Sequence, residues 1–181
     1  MKRWLPKLLK LLVLALIAWF AWGYFFPSET QRICKRLNAF SRAVSFSSGS
    51  SLMVRMAKAD GSRDYFATNV VVSLEGVHTQ AESINGRAEV MNVISLAHTY
   101  LTELELKFED PSVHLSSDKT RATMDVIVRV TINEGRRDRV HQLLRMHWVK
   151  VGDKWRIERV ETLHMLGRET GTVSDFGSAF E

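Results

Sequence analysis

Cysteine is nearly absent. The 181 residues include one, Cys34, so no disulfide can close within the chain, and no His, Cys or acidic set lies near it for metal or nucleophilic chemistry. An unreactive, partly buried thiol is expected. Proline is scarce too, and its three positions punctuate: Pro6 interrupts the first apolar stretch, Pro27 ends it, and Pro111 marks the expected end of a strand. Internal repeats and low-complexity tracts are missing. There is no block of like charge beyond the first ten residues, where Lys2, Arg3, Lys7 and Lys10 account for most of the net charge of +5, and the remainder of the chain is almost neutral. Arg136-Arg137-Asp138-Arg139 reads as a solvated turn. Nucleic acid is therefore not an expected partner, and no residue set specifies a cofactor, a metal or a reaction.

What is present is the composition of a folding protein, 45% hydrophobic and 25% charged, with room for one domain and an appendage. The appendage is residues 1–27. Leu11 to Phe26 carries no charged side chain, and back to Trp4 only Pro6, Lys7 and Lys10 interrupt. Sixteen helical residues span about 24 Å, and snorkelling lysines extend that towards the roughly 30 Å hydrocarbon core. Trp4 at one end and Trp19, Trp22 and Tyr24 near the other suit interfacial belts. The expectation is an uncleaved signal-anchor spanning residues 4–26, with a cytoplasmic N-terminus and an extracytoplasmic C-terminal domain, as in a bacterial inner membrane and periplasm. A signal peptide cleaved after Ala21-Trp22-Gly23 is the rival, and a buried core helix the third reading.

The domain, residues 28–166, opens on Ser28-Glu29-Thr30-Gln31, a capping-box pattern. Ile33, Leu37, Phe40 and Val44 then form one stripe on a helix from about Glu29 to Val44. A short helix over Leu52 to Ala59 stops at Asp60-Gly61, and Val70 to Leu74 reads as a strand paired with a weaker one over Val77 to Ser83. A long helix opens at Asn85-Gly86 with Val90, Ile94, Ala97, Leu101 and Leu104 on one face, and a strand runs from Leu104 to Asp110-Pro111, resuming at Val113. Three antiparallel strands come next, between Arg121 and Leu166. The layout is α+β, helices on one side of a curved antiparallel sheet. Residues 167–181, rich in Gly, Ser and Thr, read as a loosely ordered tail.

Three segments carry a family resemblance: Asp64-Tyr65-Phe66-Ala67-Thr68-Asn69-Val70-Val71-Val72, Asn85-Gly86-Arg87-Ala88-Glu89-Val90, and Trp148-Val149-Lys150 with Gly152-Asp153-Lys154-Trp155-Arg156-Ile157. They resemble the nuclear transport factor 2-like superfamily, also called SnoaL-like or cystatin-like, over roughly residues 30 to 166. The resemblance implies a cone whose helices and strongly curved sheet enclose an apolar pocket, and a common tendency to dimerise. It covers cyclases, isomerases and dehydratases as well as non-catalytic assembly domains.

The register of the last three strands can be set by counting loop residues. With Gly152-Asp153 as a type II′ turn, Val151 faces Lys154, Trp148 faces Ile157, Met146 faces Arg159, Leu144 faces Glu161, His147 faces Glu158 and His141 faces His164. With Glu134-Gly135-Arg136 as a three-residue loop, Val130 faces Val140, Met124 faces Met146 and Asp125 faces Arg145. One face is then apolar, Leu163 included, except for Gln142, Arg159 and Glu161. Unpaired charges in such a layer cost several kcal/mol, so these three either pair, turn to solvent through a β-bulge, or line a pocket. The candidate pocket is Gln142, Arg159, Glu161, Trp148 and Tyr65, and the one candidate proton-handling group is Glu161, with Tyr65 or Tyr100 nearby. The other face carries Ile127, Leu143, Val160 and Arg145, the expected homodimer interface. His141 and His164 lack a third ligand, so no metal site is expected, and His78, His98 and His114 read as surface or rim residues.

Two functions are consistent with these features. One is a membrane-anchored extracytoplasmic module for ligand binding or assembly, similar in plan to the VirB-type inner-membrane assembly factors. The other is a SnoaL-like cyclase or isomerase acting on a small apolar substrate with Glu161 as general base. No catalytic set transfers from the family residue by residue, and the balance favours the non-enzymatic module.

Overall fold

The chain builds itself around one amphipathic helix. In the computed structural model, which describes residues 27–74, 82–133 and 137–171, helix α1 spans Glu29–Val44 and buries Ile33, Leu37, Phe40 and Val44, the stripe read from the sequence. Its capping box forms: the Gln31 backbone N–H donates to Ser28 Oγ and the Ser28 N–H to Gln31 Oε1, both at 3.2 Å. Helix α2, Leu52–Gly61, is capped by Ser51 and leads through a 3₁₀ turn, Ser62–Tyr65, into strand β1, Phe66–Leu74. Strand β2, Glu82–Asn85, precedes helix α3, Arg87–Tyr100, and then β3, Glu103–Leu115, β4, Arg121–Asn133, β5, Arg137–Val151, and β6, Lys154–Gly171. The six strands form one sheet in the order β2-β1-β6-β5-β4-β3, wrapped over the helices. This is the α+β cone that the resemblance implied.

Several element limits differ from the sequence reading, each for a local reason. Strand β3 continues through Asp110-Pro111, because a bulge between Glu109 and Ser112, with Asp110 at a φ of +50°, absorbs the proline that cannot donate to the ladder. Helix α3 ends at Tyr100, where Arg55 takes over its terminal carbonyls: Nε donates to His98 O at 2.9 Å, and Nη2 to the same oxygen and to Leu101 O at 2.9 Å. Strand β6 pairs on to Gly171, past Leu166, and the tail from residue 172 lies outside the described residues, as do Val77 to Ala81 of the expected weaker strand. Residues 4–26, on which the anchor rests, also lie outside them. Among the described residues no helix is long and apolar enough to cross a membrane.

Strand β1 lies parallel to β6, Val72 opposite Val160, and is therefore held by the far end of the chain. No local pattern predicts such a pairing, since its partner is set by closure of the cone. The core between α1 and the concave sheet face includes Met124, Val126, Met146, Trp148, Trp155 and Ile157, each at most 2% exposed. Truncating any one of these large side chains to alanine would cost about 2–5 kcal/mol. At the hairpin end, Glu29 ties α1 to the sheet: Lys150 Nζ donates to Oε1 at 2.9 Å and Trp155 Nε1 to Oε2 at 2.7 Å. Both bonds favour the carboxylate, the Lys150 one most, and hold its pKa below the ordinary value.

Candidate functional site

The concave face does not close completely on the helices. Between them is a cavity of about 230 Å³, walled by Phe40 of α1, Val90 and Ile94 of α3, Val72 of β1, Val128 of β4, Leu144 and Met146 of β5, and Ile157 and Val160 of β6. On β4 and β5 the lining positions alternate, so the period that builds the core also builds the cavity wall. Gln142 on β5 is the only polar side chain among its described lining residues. Its neighbour across the ladder is Val128, which sets the amide at the level of the apolar walls. A cavity of this kind takes up a small apolar body and presents it with one polar side chain.

The β4–β5 ladder has the register counted from the loop: Val130 opposite Val140, Met124 opposite Met146, Asp125 opposite Arg145. The β5–β6 ladder starts in the counted register, with Val151 opposite Lys154 and Trp148 opposite Ile157. Gly152, with φ at +61°, makes the turn, and Asp153 is not among the residues with positive φ, as a type II′ turn requires. Then the register slips. His147 lies opposite Arg159, not Glu158, because Glu158 is inserted as a bulge, and two further slips occur beyond Leu144 and Gln142.

That first bulge exchanges the faces of the β6 residues from Arg159 to Thr162, up to the second slip. Val160, expected at an outer interface, is 7% exposed and lines the cavity. Arg159 and Glu161, expected in the pocket, stand on the outer face. Leu163, expected in the core, is 40% exposed where the second slip falls, between Thr162 and His164. A signal for this was in the sequence: the apolar residues Trp155, Ile157 and Val160 are spaced by two and then three, and an odd step in a period-2 strand marks an inserted residue.

Glu161 accordingly lies outside the cavity lining, its side chain 39% exposed. His147 Nε2 donates to Glu161 Oε1 at 3.1 Å, and Nδ1 stands 3.5 Å from the Thr123 hydroxyl. In the next position along, Arg145 grips Asp125 with two bonds of 2.8 Å, and the guanidinium holds the Asp125 carboxyl below its usual range. Ile127, Leu143 and Arg145 do share the outer face. His141 lies opposite Gly167 and His164 opposite Leu143, so the two rings are not cross-strand partners. Among the described residues no group of three His, Cys, Asp or Glu side chains could hold a metal ion.

The other expected pocket residues serve the core. Trp148 is 1% exposed in the packed region towards the hairpin, and Tyr65 sets its ring 5.5 Å from that of Phe40, tilted by 54°, beneath the Arg36 guanidinium. Cys34 is partly buried, which raises its thiol pKa. His98, expected at the surface, is fully buried, 4.5 Å from the Phe46 ring, with both ring nitrogens lacking a hydrogen-bond partner. Burial pushes its pKa down; the charges of Arg55 and Lys58 add to that, and the neighbouring Arg55 and Val44 backbone opposes it.

Solved structures with this fold include a protein of Novosphingobium aromaticivorans described as a candidate scytalone dehydratase (TM-score 0.62, 14% identity, 81% of this chain and 93% of that one). They also include the Kfla4162 protein of Kribbella flavida (TM-score 0.62, 14% identity, 78% and 93%) and a type-3 LinA hexachlorocyclohexane dehydrochlorinase of Novosphingobium barchaimii (TM-score 0.59, 8% identity, 78% and 88%). At these identities the likeness carries the fold alone. No curated protein sequence matches the chain. The SnoaL-like domain model matches residues 54–161, more than half of the chain, from α2 to the middle of β6, and the chain belongs to the SnoaL-like domain family.

Proposed function

We propose that the chain is a membrane-anchored module that holds a small apolar molecule in the cone without transforming it. The observation that carries this reading is the cavity of about 230 Å³, in which Gln142 is the one polar side chain among the described lining residues and none is acidic or basic. It is larger than the roughly 150 Å³ apolar cavity that takes up benzene and smaller than the roughly 300–1,000 Å³ of drug-sized sites. A ligand of one or two fused rings carrying a hydroxyl or carbonyl fits that volume, with the amide of Gln142 as its partner. The cyclase or isomerase alternative needs a base within reach of the substrate. Its candidate, Glu161, is on the opposite face of the sheet and engaged by His147. The apolar run of residues 4–26 supports the anchor, and the basic residues before it support a cytoplasmic N-terminus with the cone on the other side.

The test is selectivity. The full chain in lipid nanodiscs is expected to bind 2-naphthol more tightly than naphthalene, and Gln142→Leu to abolish that preference while retaining naphthalene binding. Equal affinity for the two compounds in the wild type would remove the role given to Gln142, and steady conversion of a bound compound would restore the enzyme reading. A mature N-terminus at Tyr24 would overturn the anchor.

A further inference from the structure

A second concavity lies on the other side of the sheet, at the hairpin end. Thr123, His147, Arg159 and Val71 form one row across β4, β5, β6 and β1. Two adjoining clefts of about 330 and 370 Å³ open along it and share Arg121, His147 and Glu158 as walls, with Arg159 lining the larger. The bulge at Glu158 makes this concavity, because it turns Arg159 outward beside His147.

The charges here are not balanced. In the neighbouring row Asp125 is committed to Arg145, and Glu161 to His147. Among the described residues the guanidinium groups of Arg121 and Arg159 form no ion pair or hydrogen bond, and the clefts contain a single carboxylate, Glu158. Adjacent strands are about 4.8 Å apart, so Arg159 and His147 are immediate neighbours, and Arg121 reaches the same space from two residues along β4. Two forked donors without partners facing one space are the arrangement that grips an oxyanion from two sides.

The geometry points to this cleft as a binding site for an oxyanion, and its place in the fold favours the phosphate of a net-negative phospholipid headgroup. Arg121 pairs with Val149, next to the Lys150 that holds Glu29. Glu29 is the first residue of α1, two positions after Pro27, so the cleft opens at the end of the cone from which residues 4–26 depart. Lys119, beside Asp118 in the β3–β4 turn, and Lys154, at the hairpin and paired with Asp64 at 3.1 Å, stand at this same end. A bilayer crossed by residues 4–26 would present its headgroups to these side chains, and clustered basic groups close to an anionic surface are attracted within a Debye length. The lipid assignment rests on the anchor proposed above. The oxyanion site does not.

Arginine-specific modification separates the cases. The full chain in nanodiscs is treated with phenylglyoxal, and the modification rates of Arg121 and Arg159 are followed by peptide mass spectrometry. Discs of phosphatidylcholine containing about a third phosphatidylglycerol are expected to slow both sites at least fivefold relative to phosphatidylcholine alone, leaving Arg129 unchanged. Glu158→Gln, which removes the opposing carboxylate, is expected to deepen the protection. Equal protection by inorganic phosphate in phosphatidylcholine discs would overturn the lipid assignment and retain the oxyanion site. No protection by either anion would overturn the site. Failure of the chain to enter discs would refute the anchor, and the phosphate comparison then runs in solution and still decides the cleft.

Discussion

Replacing Glu29 by alanine should loosen α1 from the sheet, and the structure sets the size of the effect. The change leaves the indole N–H of Trp155, a residue 2% exposed, without its acceptor, at a cost of about 1–3 kcal/mol for a stranded buried donor. It also removes the charge-assisted bond from Lys150, whose side chain is 24% exposed and recovers part of the loss by rehydrating. A carboxylate in the first turn of a helix adds about 0.3–1 kcal/mol. Together Glu29→Ala should cost about 2–4 kcal/mol, whereas Glu29→Gln, which keeps an acceptor for Trp155, should cost about half as much. The assay is equilibrium urea unfolding followed by the near-ultraviolet signal of the buried tryptophans. The sign with pH is fixed: the carboxyl pKa is depressed in the fold, so its contribution is fully present above the ordinary value of 4.5 and is lost as pH falls through the folded value. Glu29→Gln should flatten that acid limb. A cost below about 0.5 kcal/mol for alanine would contradict the stranding of the Trp155 donor, since an unsatisfied buried N–H alone costs more than that, and so would glutamine costing as much as alanine.

Other expectations rest on single features. His98 is buried with its pKa depressed, so the unfolded chain binds the proton more readily and stability should fall as pH drops below about 6.5, the usual histidine value. His98→Phe should remove that slope, as read by melting temperature between pH 7.5 and 5.5; an unchanged slope would show that another group titrates. Arg55→Met, which frees the carbonyls at the end of α3 and removes the cation 4.4 Å above the Phe46 ring, should cost about 2–3 kcal/mol in urea unfolding. Gly152→Ala should cost about 1–2 kcal/mol through its positive φ alone, since an added Cβ meets no atom within 4 Å, and Gly152→Asn should cost less.

The legible parts of this fold are those where a local rule acts without competition. The α1 stripe and capping box were readable because helix period and cap chemistry agree, and the β4–β5 register because a three-residue loop and an unbroken alternation leave one solution. The candidate site was legible only in part. The alternation marks Gln142, but counting from the turn puts Arg159, Glu161 and Val160 on the wrong faces, since the residue inserted at Glu158 reverses the stretch from Arg159 to Thr162. Counting from the turn assumed a continuous ladder, whereas the step of three from Ile157 to Val160 carried the correction. The parallel contact of β1 with β6 had no local signal, and neither did the burial of His98, which depends on where α2 and Phe46 settle.

The cone is proposed to hold a small apolar ligand against Val128, Gln142 and Met146. Methyl NMR of methionine-labelled full chain titrated with 2-naphthol tests it most directly, because Met146 lines the cavity while Met124 is buried outside its lining. A ligand in the cone should give a saturable shift of the Met146 methyl with Met124 unmoved, weakened at least tenfold by the cavity-filling Val128→Phe. A shift that survives Val128→Phe, or one confined to Met124, would contradict it.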